Sequence, residues 1–253
     1  MAGTAVLGPV MWRPATVVGL HAETATARTL MLDVRGWPGH VAGQHADVRL
    51  TAPDGYSAVR SYSIASPPKL DGQIEITVER LPNGEVSPYL TQEAIIGDEL
   101  EVRGPIGRWF VWQSEQTEPV QLVAGGSGIV PLMAMIRSRV SAGSTAPFRL
   151  LYSVREPAAV FYRDELRALA DSDSSLTVTY AYTRVAPEGW ARPPSRVDSA
   201  LIAAATFPST VRPTTYVCGP TSFVENTTEL LIATGQDREK IRTERFGATG
   251  ERK

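Results

Sequence analysis

Cysteine is almost absent from this chain: Cys218 is the only one in 253 residues. No intramolecular disulfide can form, and no cysteine cluster can hold zinc or an iron–sulfur centre. No stretch approaches the roughly 18 apolar residues of a membrane-spanning helix. Met1–Val10 lacks the charged start and apolar core of a secretion signal, which predicts a cytoplasmic protein. Excess charge is missing too. The net charge is −2, which gives no basis for nucleic-acid binding. No internal repeat or low-complexity tract is present. The remaining composition, 43% hydrophobic and 21% charged, is that of an ordinary globular protein. The length suits one large domain or two of about 100–150 residues.

The first half reads as short strands between turn residues. Met1 to about Pro14 has no periodicity and reads as a loose arm. Val17–Glu23 and Ala27–Val34 look like a hairpin. Asp47–Leu50 alternates polar and apolar residues, and Pro53-Asp54-Gly55 follows as a turn. The Arg60 strand ends at Pro67-Pro68. Ile74, Ile76 and Val78 alternate with Glu75, Thr77 and Glu79 in the most regular strand of all. Ser87–Glu93 suits a short helix, and Glu99–Arg103 a strand stopped by Gly104-Pro105. About six antiparallel strands at this spacing predict a closed β-barrel.

Polar residues 113–119 read as a linker, and the pattern then changes to apolar strand, helix, apolar strand, helix. Strands are expected at Val120–Ala124, Phe148–Val154, Leu176–Tyr182, Thr215–Cys218 and Ile241–Phe246. Helices are expected at Ile129–Ala142, Phe161–Ala170, Asp198–Ala205 and Ser222–Thr234. This alternation predicts an α/β doubly wound parallel sheet. The expected domains are therefore residues 12–112, a barrel, and 118–247, an α/β unit.

Five short motifs carry chemistry. Arg60-Ser61-Tyr62-Ser63 offers a guanidinium fork for phosphate, a flat ring and a hydroxyl on one strand. Alternation puts Arg60 and Tyr62 on one face, Ser61 and Ser63 on the other. Surface strands often read this way, so the motif alone decides little. Gly84-Glu85-Val86-Ser87 is either a phosphate-binding turn or a helix start capped by Ser87. Gly125-Gly126-Ser127-Gly128 joins a strand to a helix, where bare backbone and helix dipole suit a phosphate, although a tight turn has the same composition. Cys218-Gly219-Pro220 ends a later strand of the same sheet, where α/β ligands sit, and would face the crevice at Gly126. A lone cysteine is equally a small buried hydrophobe. Glu244-Arg245-Phe246-Gly247 brings a carboxylate and a ring to the sheet edge, or forms a salt-bridged edge strand.

In that order, RSYS, GEVS, GGSGIVP, CGP and ERFG resemble the ferredoxin–NADP reductase superfamily over residues 12–247. The resemblance implies a barrel that holds FAD and an α/β domain that holds NADPH or NADH. Arg60 would bind the flavin pyrophosphate on a strand that includes Ser61, Tyr62 would lie along the isoalloxazine, and Ser63 would bond near its N5. Val78 and Arg80 would line the flavin site, and Gly84, Val86 and Ser87 would hold phosphates. Gly126, Ser127 and Gly128 would hold the nicotinamide nucleotide's pyrophosphate. The family usually has threonine where Ser127 stands, and the hydroxyl is retained. Cys218, Gly219 and Pro220 would lie beside the nicotinamide, and Glu244 and Phe246, a catalytic and a cofactor-binding residue by this resemblance, match only the family variants that end in Glu-Arg/Lys-Phe. Tyr62, Ser63, Cys218 and Glu244 are thus the expected catalytic group.

The implied activity is flavin reduction by NAD(P)H, followed by electron transfer to a separate acceptor such as a ferredoxin or an oxygenase component. One cysteine leaves no place for the fused four-cysteine cluster of many relatives. A reductase of free flavin, quinone or ferric chelate is an alternative, and a non-catalytic flavin module a more distant one. NADPH is favoured over NADH. The adenosine should fall at the end of the second α/β strand, where Ser153, Arg155 and, on the next strand, Arg184 are available to a 2′-phosphate. Glu156 is the only acid there, and Arg155 pairing with Glu156 or Asp164 is the competing arrangement.

Overall fold

The computed structural model describes residues 10–68 and 71–246. Most of the expected N-terminal arm, together with Gly247, lies outside them. Trp12–Pro14, expected in that arm, instead opens a strand, because Trp12, Arg13 and Pro14 pair with Arg103, Val102 and Glu101.

Six strands make an antiparallel sheet: β1 (Trp12–Thr24), β2 (Ala27–Val34), β3 (His45–Thr51), β4 (Ser57–Ser63), β5 (Gln73–Glu79) and β6 (Glu99–Ile106). Their order is β4-β3-β6-β1-β2-β5. The two end strands meet through a bridge between Ile64 and Ile76, and the Ala65 N–H donates to the Glu75 carbonyl at 2.7 Å. That closes the sheet into the expected barrel. Its core holds the inward set, including Leu30, Leu32, Val48, Ile74, Ile76, Val78 and Val102. β6 does not stop at Gly104-Pro105. The last β1 partner is Trp12, opposite Arg103, so Pro105 needs no donor on that side and β6 continues beside β3 to Ile106. One helical turn, Tyr89–Glu93, stands where the short helix was expected.

The second sheet comprises β7 (Val120–Gly125), β8 (Phe148–Val154), β9 (Leu176–Tyr182), β10 (Thr214–Pro220) and β11 (Ile241–Phe246), all parallel, in the order β11-β10-β7-β8-β9. Helices α1 (Ile129–Ser141), α2 (Arg163–Ser172), α3 (Ser199–Ala205) and α4 (Thr221–Ala233) connect them. Leu122, Ala124, Tyr152 and Tyr216 enter one core with α1, whereas Val123, Leu151 and Val217 enter another with α3 and α4. Burial on both faces explains why the central strands β7, β8 and β10 are mostly apolar, while the edge strand β11, Ile241-Arg242-Thr243-Glu244-Arg245-Phe246, is not. The strand order reverses between β7 and β10, and ligands of such sheets bind at that point.

α2 starts two residues later than expected. Tyr162 has φ 54°, outside the helical region, and its N–H goes to Glu23 of the barrel at 3.0 Å. The α1 core extends across the seam to Ala27, Ala42 and Ala65 of the barrel.

Candidate functional site

The reversal point is built by close backbone approach. An added Cβ on Gly128 would lie 2.1 Å from the Cys218 carbonyl oxygen. Gly126 has φ 54°, a conformation that side chains disfavour, and open space beside it. Phe223 of α4 packs against the bare Cα atoms of Gly125 and Gly219, where added Cβ atoms would come within 2.6 and 2.9 Å of its ring. The result is a cradle of backbone without side chains at the start of α1, half-buried at Gly126 and Ser127 and buried at Gly125 and Gly128. Such a cradle suits a pyrophosphate.

Cys218 was expected to face the crevice, and the structure corrects this. Its side chain is fully buried in the core under α1, and burial pushes its thiol far above the ordinary range. The reason is the pleat: Cys218 shares a face with Tyr216 and Ala124, while its carbonyl abuts Gly128. Pro220 is exposed at the strand end, opposite Phe246 in the β10–β11 register, and Phe246 packs against the same core.

On the barrel side, Arg60 points toward the GEVS turn. Its Nη2 meets Glu85 Oε2 at 2.5 Å, its Nη1 donates to the Val59 carbonyl, and Tyr56 donates its hydroxyl to Glu85 at 2.8 Å. The Tyr56 hydroxyl bond, then that of Arg60, holds the Glu85 carboxyl below its usual range. Ser87 does not cap the helix. Its hydroxyl accepts from the Leu81 N–H at 3.0 Å and folds the turn, against which Gly84 leaves no room for a side chain. Val86 and Val78 are buried in the barrel core.

Ser61 is turned away from Arg60 and Tyr62. Its hydroxyl donates to Asp47 at 2.6 Å, and Asp47 also binds Arg103. Arg80 lines a hollow of about 340 Å³ with Arg28, Thr24, Thr26 and Thr91, apart from the RSYS side chains. Tyr62 is half-buried against the barrel core, and burial raises its hydroxyl pKa.

Ser63 is the informative residue. Its hydroxyl is buried and, among the described residues, has no hydrogen-bond partner. Buried polar atoms are almost always paired, so this hydroxyl, like the side chains of Trp112, Ser138, Thr215, Thr227 and Thr228, is open to a further partner, and of these it is the one on the RSYS strand. Its cross-strand neighbour is His45, whose Nδ1 lies 4.0 Å from Glu244 Oε1, and Glu244 stands opposite Cys218. The line from Ser63 through His45 to Glu244 therefore crosses from barrel to sheet. Arg242 secures it by donating to the Val111 carbonyl at 2.8 Å and lying 5.3 Å over the Trp109 ring. Among the described residues, no group of His, Cys, Asp and Glu could hold a metal, and no helix is long and apolar enough to cross a membrane.

Sequence reasoning missed His45, Glu85 and Phe223. His45 follows Gly43-Gln44 at the start of an alternating strand, but nothing local marks it as a neighbour of Glu244.

Burial raises the Glu244 carboxyl to about 7 and lowers the His45 imidazole. A carboxyl with a raised folded-state pKa favours the protonated, folded chain. The contribution of Glu244 to stability is therefore fully present below about pH 4.5, is lost through the window up to 7, and amounts to about 3 kcal/mol. Glu244→Gln is expected to flatten that fall. Urea denaturation at pH 5 and pH 8 checks it, and an equal pH dependence in both proteins would exclude Glu244 as the cause.

A flavin-type barrel joined to a nucleotide-type sheet, meeting at a glycine cradle and an orphaned serine, defines a two-domain oxidoreductase class. Comparisons with known proteins agree. Residues 26–111 match the oxidoreductase FAD-binding domain, and residues 122–229 the oxidoreductase NAD-binding domain. The chain is 30% identical over 198 residues to the glycine betaine monooxygenase reductase subunit of Chromohalobacter salexigens, covering 78% of this chain and 53% of that protein. It is 38% identical over 141 residues to methane monooxygenase component C of Methylosinus trichosporium, covering 56% and 40%. The FAD/NAD-binding domain of a nitric oxide dioxygenase from Vibrio cholerae superposes with a TM-score of 0.82 at 22% identity, covering 93% of this chain and 99% of that one. The chain belongs to the ferredoxin reductase-like family of FAD- and NAD(P)H-dependent oxidoreductases. It spans about half the length of the two reductase relatives.

Proposed function

We propose that the chain takes electrons from NAD(P)H through FAD and delivers them to a separate protein, a ferredoxin or an oxygenase component. The observation that carries this reading is the orphaned Ser63 hydroxyl at the end of the RSYS strand, beside His45 and Glu244 at the seam of the two sheets. The names of the relatives, reductase parts of monooxygenase systems, support the choice of acceptor.

When bound, FAD accepts the hydride, two electrons and a proton, that NAD(P)H gives up on becoming NAD(P)⁺, and can return the electrons singly to an acceptor. The protein's part is binding, orientation and exclusion of water. Arg60 and the Gly84–Ser87 turn would hold the flavin pyrophosphate, and Arg60 would give up part of its contact with Glu85 to do so. Tyr62 supplies the ring-sized surface, and Val78 supports it from the core. The buried Ser63 hydroxyl would find a partner at the flavin ring. Gly126, Ser127 and Gly128 present backbone N–H groups to the nucleotide's pyrophosphate, and Gly219 keeps the strand end bare for the nicotinamide. Glu244, close to half-protonated near pH 7, holds a proton beside His45 at the transfer site. Phe246 covers the seam. Cys218 supports the site from below, through its carbonyl against Gly128.

The test is anaerobic mixing. NADH or NADPH should bleach the yellow protein, and flavin released by denaturation should run as FAD. Released FMN, or flavin that neither nucleotide bleaches, would overturn the reading. Electron delivery to free flavin or ferric chelate at rates no ferredoxin or oxygenase component matches would overturn the protein acceptor.

The nucleotide is proposed to be NADPH. Arg155 and Arg184 are exposed side by side, since the Arg184 N–H donates to the Arg155 carbonyl at 2.9 Å. Among the described residues Arg155 has no carboxylate at ion-pair distance, and Asp164 pairs with Arg167 instead. An arginine–phosphate contact contributes about 1.5–3 kcal/mol, so Arg155→Ala should lower the NADPH-to-NADH ratio of kcat/KM about ten- to a hundredfold. A wild type that prefers NADH, or a ratio unmoved by the substitution, removes the assignment.

A further inference from the structure

We propose that Arg137 and Tyr162 are positioning residues. They fix the RSYS strand against the Gly-rich loop and so set how closely the nicotinamide can approach the flavin. The inference rests on the oxidoreductase reading above.

Arg137 stands on α1, nine residues beyond Gly128 and thus about 14 Å along the helix that the cradle begins. Its guanidinium reaches both halves of the molecule. Nη1 donates to the Ala65 carbonyl at 3.0 Å and to Glu75 Oε2 at 2.8 Å, both on the barrel. Nε and Nη2 grip Glu165 of α2 at 2.8 and 2.6 Å. Ala65 lies two residues past Ser63, and Ala65 with Glu75 forms the bond that helps close the barrel. One side chain therefore ties the end of the flavin strand to the helix that carries the nucleotide loop. A planar fork with several fixed donors can do this, whereas a lysine ammonium cannot span both carboxylates in the same way.

Tyr162 completes the clamp beneath the guanidinium, which lies 4.9 Å over its ring. Its N–H donates to Glu23 Oε2, and its hydroxyl to Thr77 on β5. Thr77 meets the Thr29 hydroxyl at 2.7 Å, and Thr29 donates to Glu23 Oε1 at 2.7 Å. The bonds form a closed ring between barrel and sheet. Tyr162 is buried, and it keeps a left-handed backbone that a tyrosine ordinarily avoids. Strain of that kind persists only where surrounding contacts hold it. Seams between domains usually permit relative motion, and this network opposes it within a few residues of Ser63.

Transfer between two bound rings depends steeply on their separation, and a misplacement of about 1 Å can cost about a hundredfold in rate. A residue that only stabilised the fold would lower cofactor occupancy and thermal stability together. A positioning residue slows flavin reduction while both cofactors stay bound.

Stopped-flow reduction of the FAD-loaded protein by saturating NADPH or NADH separates the two. In Arg137→Ala the rate is expected to fall about tenfold or more, with the long-wavelength charge-transfer absorbance of stacked nicotinamide and flavin weakened. FAD occupancy and the nucleotide dissociation constant should stay within about threefold. Arg137→Lys should fall between. Tyr162→Phe, which keeps the packing and removes only the hydroxyl bond, should slow reduction about threefold and decides the matter if Arg137→Ala does not fold. Normal rates and charge-transfer absorbance in Arg137→Lys and Tyr162→Phe would overturn the proposal, as would losses confined to cofactor affinity. If the wild type is itself not reduced, the oxidoreductase reading fails first, and the clamp has nothing to position.

Discussion

Gly128→Ala is expected to lower folding stability by about 3 kcal/mol and to weaken nicotinamide nucleotide binding at least about tenfold. The added methyl would lie 2.1 Å from the Cys218 carbonyl oxygen, 2.4 Å from its carbonyl carbon and 2.7 Å from the Gly219 nitrogen, none of which can swing aside as a side chain would. Either α1 moves away from β10 or the β10 end shifts, and both movements open the cradle. Gly126→Ala is the instructive companion. It meets no protein neighbour, so its cost in folding stability is only the penalty of its positive φ, about 1 kcal/mol, while nucleotide binding is expected to fall in both variants. Urea denaturation and nucleotide titration of both variants check the contrast. Gly128→Ala within 0.5 kcal/mol of wild type (about the spread of neutral surface changes) would show that the strand ends yield more readily than their packing indicates.

Tyr62→Ala is expected to release flavin, with affinity lower by about ten- to a hundredfold and stability lower by about 3 kcal/mol. The ring is half-buried and packs against the barrel core, so its removal takes away apolar contact there. Tyr62→Phe keeps that surface and should retain flavin within about threefold of wild type. Equilibrium dialysis of the flavin, beside thermal unfolding of the flavin-free chain, separates the two effects. Full flavin retention in Tyr62→Ala would place the isoalloxazine elsewhere.

Much of the architecture was legible because the strands obey local rules. Ile74, Ile76 and Val78 alternate with polar neighbours because one side of β5 meets the barrel core. Val120–Gly125 is apolar at every position but Gln121, whose amide is hydrogen-bonded, because helices cover both faces of β7. The order of the short motifs was legible as well, since each needs only neighbouring residues: a fork, a ring and a hydroxyl on one strand, or glycines between strand and helix. Boundaries failed where a distant partner overrode the local preference. Tyr162 is a sound helix residue by composition, yet Glu23, far away in sequence, holds it outside the helix. Pro105 looks like a strand terminator, yet β1 has not begun on that side, so nothing is lost by continuing.

The sequence by itself determined the two kinds of sheet and their order along the chain. These follow from hydrophobic periodicity and backbone chemistry, which act over a few residues. Only the tertiary structure decided which of the motif residues stand free. Ser61 and Ser63 share a face of β4, but Asp47 holds one hydroxyl while burial leaves the other without a partner. Cys218, which the motif placed at the crevice, went into the core because the pleat of β10 turned its side chain under α1. Glu244 became a carboxyl near neutrality because the seam took it out of water beside His45, a residue nearly 200 positions earlier. Desolvation and pairing depend on what packs alongside, and the chain sets that only when the barrel and the sheet close on each other.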